Sequence, residues 1–135
     1  MTTYQKQLPN IDDENRPFWD ACRNGELRLQ QCQDCRHIRY PIQYVCPSCL
    51  SERTEWTRLS GKGEVLSRLV FHQVYNKSWA GDAPYNVVLV QLDEGPRMFS
   101  NVVGVPNEKV TVGMRVEAVF EPVTPEVTIP RFKPA

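Results

Sequence analysis

Four of the five cysteines fall in two Cys-x-x-Cys pairs, Cys32 with Cys35 and Cys46 with Cys49, separated by ten residues. A Cys-x-x-Cys turn converges two thiolates on one point, and two such turns face to face give the tetrahedral four-sulfur set that zinc prefers. Ten residues are fewer than the commonest zinc-ribbon spacing, yet they suffice for a short hairpin out and back. The expectation is one metal ion per chain on Cys32, Cys35, Cys46 and Cys49, namely zinc, with iron as in rubredoxin its main competitor. Four protein ligands leave no open coordination position, so the zinc would be structural rather than catalytic. His37 is surplus to that set and reads as a surface residue. Cys22, alone among Phe18, Trp19 and Leu27, reads as a small buried hydrophobe rather than a nucleophile. His72 has no acid, base or nucleophile near it in sequence to complete a dyad.

The elements that position these cysteines follow from the local text. Residues 1 to about 9 are polar and end at Pro9. From Asn10 to Leu29 one helix or two short ones are expected, with Asp12 as N-cap, acids in the first turn, Phe18, Trp19 and Cys22 at helical spacing, and Gly25 near the end. Leu29 to about Arg58 holds the paired cysteines, and Pro41 and Pro47 break any regular element there. After Trp56 the pattern becomes strands between turn signals. Val65, Ser67, Leu69 and Phe71 alternate with Leu66, Arg68, Val70 and His72. Tyr85 to Leu92 is apolar on both faces, a third strand runs from Arg97 to Val103, and Val116, Ala118 and Phe120 mark a fourth. The fifth lies between Val127 and Phe132. The expected chain is mainly β: a tail and helix over 1–29, a zinc ribbon over 30–58, and a small five-stranded antiparallel barrel over 59–135. An OB-fold suits five short strands, and an SH3-like barrel is the alternative.

The totals restrict function. The chain has 135 residues and is 41% hydrophobic, enough for a real core. Its 16 basic residues balance 16 acidic ones, so it has no overall field to draw it to phosphate backbones. Lys62, Arg68 and Lys77 are scattered, which argues against nucleic acid. No apolar run approaches the roughly 20 residues that span a bilayer, and the first residues are not signal-like. A cytoplasmic location is expected, where paired cysteines hold metal more often than they form disulfides.

The order PFW, GEL, CQDC, YP, CPSC, SGKGEV, PYNVVLVQLDEGPRMFSN and VGMRVEAVFE resembles the acyl-CoA-associated family that joins a rubredoxin-like zinc ribbon to an OB-fold. The resemblance runs from about Asp12 to Phe132. It implies a non-catalytic accessory subunit that docks on a separate thiolase-like polypeptide, forming a hetero-oligomer. Partner enzymes in such complexes include thiolases, hydroxymethylglutaryl-CoA synthases, acyltransferases and the retro-aldolases of steroid side-chain breakdown. It also implies that Cys32, Cys35, Cys46 and Cys49 are the metal ligands, and that Phe18 and Trp19 pack on the ribbon or dock on the partner. If the barrel holds acyl-CoA, strand and loop positions point to Lys62, Arg68, Phe71, His72, Trp79 and Tyr85 for its phosphates and adenine. The family's knuckles usually carry glycine after each second cysteine, where this chain has Arg36 and Leu50, a departure that bears on the local turn geometry and not on the ligand set. The competing readings are an OB-fold that binds single-stranded nucleic acid, and a free-standing acyl-CoA enzyme using Cys22 or His72.

Overall fold

Residues 6–73, 77, 81 and 83–135 are described by the computed structural model. Asp12 and Asn15 exchange bonds at the start of the ordered helical region, the N–H of each donating to the side-chain oxygen of the other at 2.9 Å. The helix proper, α1, is Arg16–Arg23, with Asn15 rather than Asp12 at its cap. Pro17 accounts for the shift. Its ring and missing N–H are tolerated only in a first turn, so the helix starts beside it and Asp13 and Glu14 are left in the preceding turn.

Gly25, at φ 74°, reverses the chain into β1, Leu27–Cys32. Leu27 and Leu29, expected at the end of the helical segment, therefore alternate with period two on a strand. With β2 (Ile38–Arg39) and β3 (Thr54–Leu59), β1 makes an antiparallel sheet in the order β2-β1-β3. Cys32 lies opposite Thr54, and Gln30 is flanked by Arg39 on one side and Trp56 on the other.

The second sheet comprises β4 (Lys62–Phe71), β5 (Tyr85–Leu92), β6 (Arg97–Ser100), β7 (Arg115–Pro122) and β8 (Thr128–Pro134). Its order is β6-β5-β4-β7-β8, every pairing antiparallel. The sheet curls until its edges meet at a parallel bridge between Val102 and Phe132. There Val103 N–H donates to Phe132 O at 2.8 Å and Phe132 N–H to Asn101 O at 3.0 Å. The buried Asn86 clamps the junction, accepting from Val102 N–H and donating to Val102 O, each at 2.8 Å. This curled five-stranded half-barrel is an OB-fold. Gly63 is required where β4 crosses β5, because a Cβ there would stand 2.5 Å from Gln91 O.

One feature of β4 departs from simple alternation. Its register passes from Val65 opposite Val90 to Ser67 opposite Leu89, so Leu66 is a bulge and the faces exchange. Val65 is fully buried while Leu69, expected on the same face, is 61% exposed.

Most of the buried apolar residues form one cluster. Phe18, Cys22, Leu27, Leu29 and Leu59 from helix and ribbon pack with Val65, Val88, Val90, Leu92, Met98, Val116 and Phe132 from the barrel. Each such side chain removed from water stabilises by about 1.5–3 kcal/mol. α1 touches β1, β7 and β8, so it closes the seam between the two sheets.

Candidate metal centre

The two cysteine turns share one backbone plan. In the first, Cys32 N–H donates to His37 O at 2.9 Å and Arg36 N–H to Cys32 O at 3.0 Å. In the second, Cys46 N–H donates to Ser51 O and Leu50 N–H to Cys46 O, both at 2.9 Å. Each turn closes by taking the residue after its second cysteine into the left-handed region, Arg36 at φ 68° and Leu50 at φ 65°. The turns are thus kept without glycine, at a local cost of about 1–2 kcal/mol for each side chain held there.

That plan brings four sulfurs together. Cys32 Sγ lies 3.5 Å from Cys49 Sγ, Cys35 Sγ lies 3.5 Å from Cys46 Sγ, and all four are within 4.8 Å of one another. Zinc–sulfur bonds of about 2.3 Å in a tetrahedron need sulfurs about 3.8 Å apart, so the donor set fits such an ion with small adjustment. Cys32 and Cys46 are buried, whereas Cys35 and Cys49 form the exposed side.

The electrostatics favour thiolates on the buried side. The N–H of Cys35, 3.5 Å from Cys32 Sγ, is the main cause that lowers the Cys32 thiol to about 6. Burial pushes Cys46 up, but the backbone N–H groups of Cys49 and Ser48 more than offset it, the latter at 3.4 Å. At Cys49 the Ser51 N–H lowers the thiol, and the neighbouring sulfurs of Cys32 and Cys35 outweigh it and raise it to about 12. Four thiols this close cannot all ionise by themselves; a dication held by Cys32, Cys35, Cys46 and Cys49 would supply the missing charge.

Polar ties hold the turns around this point. The Asp34 carboxylate accepts from Ser51 Oγ–H and, at 2.8 Å, from Arg53, while Gln33 N–H donates to Arg53 O at 2.9 Å. Arg36 pairs with Glu55 at 2.7 Å. The segment between the turns is pinned from beneath, because Gln43 N–H donates to Gln30 Oε1 at 2.9 Å and Gln43 O accepts from Arg39 at 2.9 Å. Sequence reasoning passed over Gln30 and Arg39, since a glutamine and an arginine in polar text read as surface residues.

The other sequence candidates are dispersed. Phe71 and Tyr85 stack at 5.4 Å with an interplanar angle of 17°, and exposed His72 follows directly. Arg68 donates to Asn107 O at 2.9 Å. Lys62 begins β4 and Phe71 ends it, so at the usual rise they lie about 30 Å apart and cannot share one small site. Trp79 lies outside the described residues. Phe18 is buried, with Trp19 edge-on at 4.9 Å; of the two, half-buried Trp19 keeps more surface. Cys22 is wholly buried and its thiol is pushed up to about 12 by that burial, so it is a neutral core residue.

Residues 19–55 match the family model of the ChsH2 rubredoxin-like zinc ribbon domain, and residues 56–121 that of the ChsH2 C-terminal OB-fold domain. A DUF35 domain-containing scaffold protein of Pyrococcus furiosus is 34% identical over 107 residues, 79% of this chain and 70% of that one. The chain belongs to the DUF35 family. A second relative of this DUF35 chain is a probable enoyl-CoA hydratase alpha subunit of Thermomonospora curvata, 34% identical over 127 residues. That match takes in 94% of the DUF35 chain but 39% of the hydratase subunit, so the chain spans about two fifths of that relative's length. Among solved structures, the Ltp2-ChsH2(DUF35) aldolase superposes with a TM-score of 0.84 at 34% identity, covering 94% of this chain and 98% of the matched one. The DUF35 fold places four cysteines to bind a metal ion.

Proposed function

We propose that this DUF35 protein is a non-catalytic accessory subunit that docks on a thiolase-like or related acyl-CoA enzyme and helps to form its acyl-CoA site. The observation that carries this reading is the superposition on the Ltp2-ChsH2(DUF35) aldolase, which extends over ribbon and barrel together at 34% identity. The hydratase alpha subunit points to the same class of acyl thioester substrate. Cys32, Cys35, Cys46 and Cys49 hold one zinc per chain, whose role is to fix the two turns against each other. With four thiolate ligands it offers no position to a substrate. The assembly is a cytoplasmic hetero-oligomer, in keeping with thiols kept reduced for a metal. Trp19 belongs to the docking surface beside the buried Phe18. The stacked Phe71 and Tyr85, with His72 next to them, are the barrel's best candidates for an adenine ring.

The test is co-expression with a thiolase-like protein encoded beside this chain, followed by size-exclusion chromatography and assay of each component and of the mixture. Co-elution with activity that needs both chains is expected. A partner fully active alone that never co-elutes would refute the reading.

A further inference from the structure

Among the described residues, Arg39 is the one charged side chain counted as buried, with 2% of its surface exposed. Its guanidinium meets only neutral acceptors, Gln43 O at 2.9 and 3.2 Å and Thr54 Oγ1 at 2.7 Å. Nη1 is buried without any partner, and none of the ion pairs among the described residues includes Arg39. An interior cation left uncompensated costs several kcal/mol, and natural interiors pair such charges or present them to a ligand.

Arg39 lines a cleft of about 540 Å³ between the edge of the ribbon and the β5–β6 turn of the barrel. Arg36 and His37 flank it on the ribbon side and Arg97 faces it from the barrel. Arg97 makes no ion pair among the described residues, while Arg36 is shared with Glu55. Among the described residues, the one carboxylate lining the cleft is Glu94, which accepts from Ser60 N–H at 2.8 Å. In a chain whose 16 cationic and 16 anionic residues cancel, three guanidiniums set against the carboxylates of Glu94 and of Glu55 on Arg36 leave a local positive surplus at this cleft. The volume lies within the roughly 300–1,000 Å³ of small-molecule sites. Planar guanidinium forks match the oxygens of phosphate, and several of them around one point suit a multiply charged anion better than a single carboxylate.

We propose that this cleft is an oxyanion site in which exposed Arg97 and Arg36 receive the phosphates of a small diphosphate or phosphate ester, over the uncompensated charge of buried Arg39 in the cleft wall. The inference stands apart from the accessory-subunit reading, because it concerns the cations and not the thioester. Two sources share the chemistry, free diphosphate and a nucleotide-bearing carrier such as coenzyme A, and the experiment separates them.

The arginine Nε resonances of the full metal-loaded chain are followed by NMR during titration with inorganic diphosphate and, separately, coenzyme A. The expected result is a saturable shift of Arg97, with a smaller one at Arg39 in the wall behind it, weakened about tenfold or more in Arg97→Gln, the loss expected for a charged hydrogen bond. Arg39 also anchors Gln43 and Thr54, so Arg97→Gln decides, and Arg39→Lys, checked for folding by circular dichroism, is the second variant. Saturation by diphosphate alone supports the site and separates it from acyl-CoA chemistry. Saturation by both supports the site and joins it to that chemistry. Linear shifts, shifts that spare Arg97, or unchanged affinity in Arg97→Gln would overturn the proposal, as would a partner carboxylate seated on Arg97 in a complex that binds neither probe.

Discussion

The outer half of the ribbon and the barrel solve the same problem with different materials. From Gln33 to Arg53 the only buried residues are Arg39 and Cys46, and Tyr44 and Leu50 face solvent. In the barrel, β5 alone buries Val88, Val90 and Leu92 against the facing strands. The apolar contribution of the outer ribbon is limited to Ile38, Tyr40 and Ile42, partly buried against the shared core, which is too little to offset the conformational entropy of about 20 residues through the hydrophobic effect alone. Its other ties are polar bonds and four sulfurs placed for a metal ion, while the order of the barrel is inherent in its side chains. The inner half of the ribbon, Leu27, Leu29 and Leu59, belongs energetically to the barrel's core.

The comparison is tested most severely by removing the metal. Chelation, or Cys46→Ser, should abolish amide protection over residues 33–53 while the amides of β5 stay protected, as measured by hydrogen exchange. Equal loss in β5 would mean that the two regions are one cooperative unit. Acidification should reach the same end. Because the Cys32 thiol is lowered to about 6, its contribution is present above the ordinary thiol range and lost as pH falls through about 6. Metal release to a colorimetric indicator should therefore appear on lowering the pH, and not on raising it to 8.

Next in size is Phe132→Ala, which empties the centre of the barrel where its edges join and should cost about 3–5 kcal/mol in denaturant unfolding. Metal binding should survive at temperatures where the variant remains folded. Leu29→Ala should cost about 2–5 kcal/mol and, unlike loss of the metal, reduce protection in β1 and in β5 together. If only β1 responds, the core is not shared in the way its packing suggests.

The smallest effect expected is a gain. Leu50 is 75% exposed and sits at φ 65°, so Leu50→Gly removes left-handed strain without emptying a core and should stabilise the metal-bound ribbon by about 1 kcal/mol. Thermal unfolding of the metal-loaded variant would reveal it, and a lowered midpoint would show that Leu50 makes a contribution beyond its backbone conformation.

The metal centre was legible because thiolate pairs at this spacing have few other uses, and the barrel because strands with apolar runs announce themselves between glycine and proline turns. Other parts were not. The N-cap moved because Asp12 and Asn15 are both good caps and only the steric demand of Pro17 chooses between them. Leu27-Arg28-Leu29 is too short for its period to be told from the end of a helix. The bulge at Leu66 leaves no trace in composition, yet it turns Leu69 outward. Arg39 and Asn86 were silent for a common reason, since their burial is set by partners distant in sequence, Thr54 in one case and Val102 in the other. Positive φ at Arg36 and Leu50 could have been inferred from the repeat of the two knuckles, whose hydrogen bonds leave the chain no other route.

The shared core also makes the molecule a lever. The ribbon is fixed at Leu27, Leu29 and Leu59, and its cysteine-bearing tip lies at the far end of β1, where Cys32 is five steps or about 17 Å from Leu27. A rotation of about 5° at the fixed end would carry the tip through about 1.5 Å, at that arm length. A conservative change such as Leu29→Met, invisible from outside and harmless to the four sulfurs, would thus be felt first as a misalignment where the tip meets another surface.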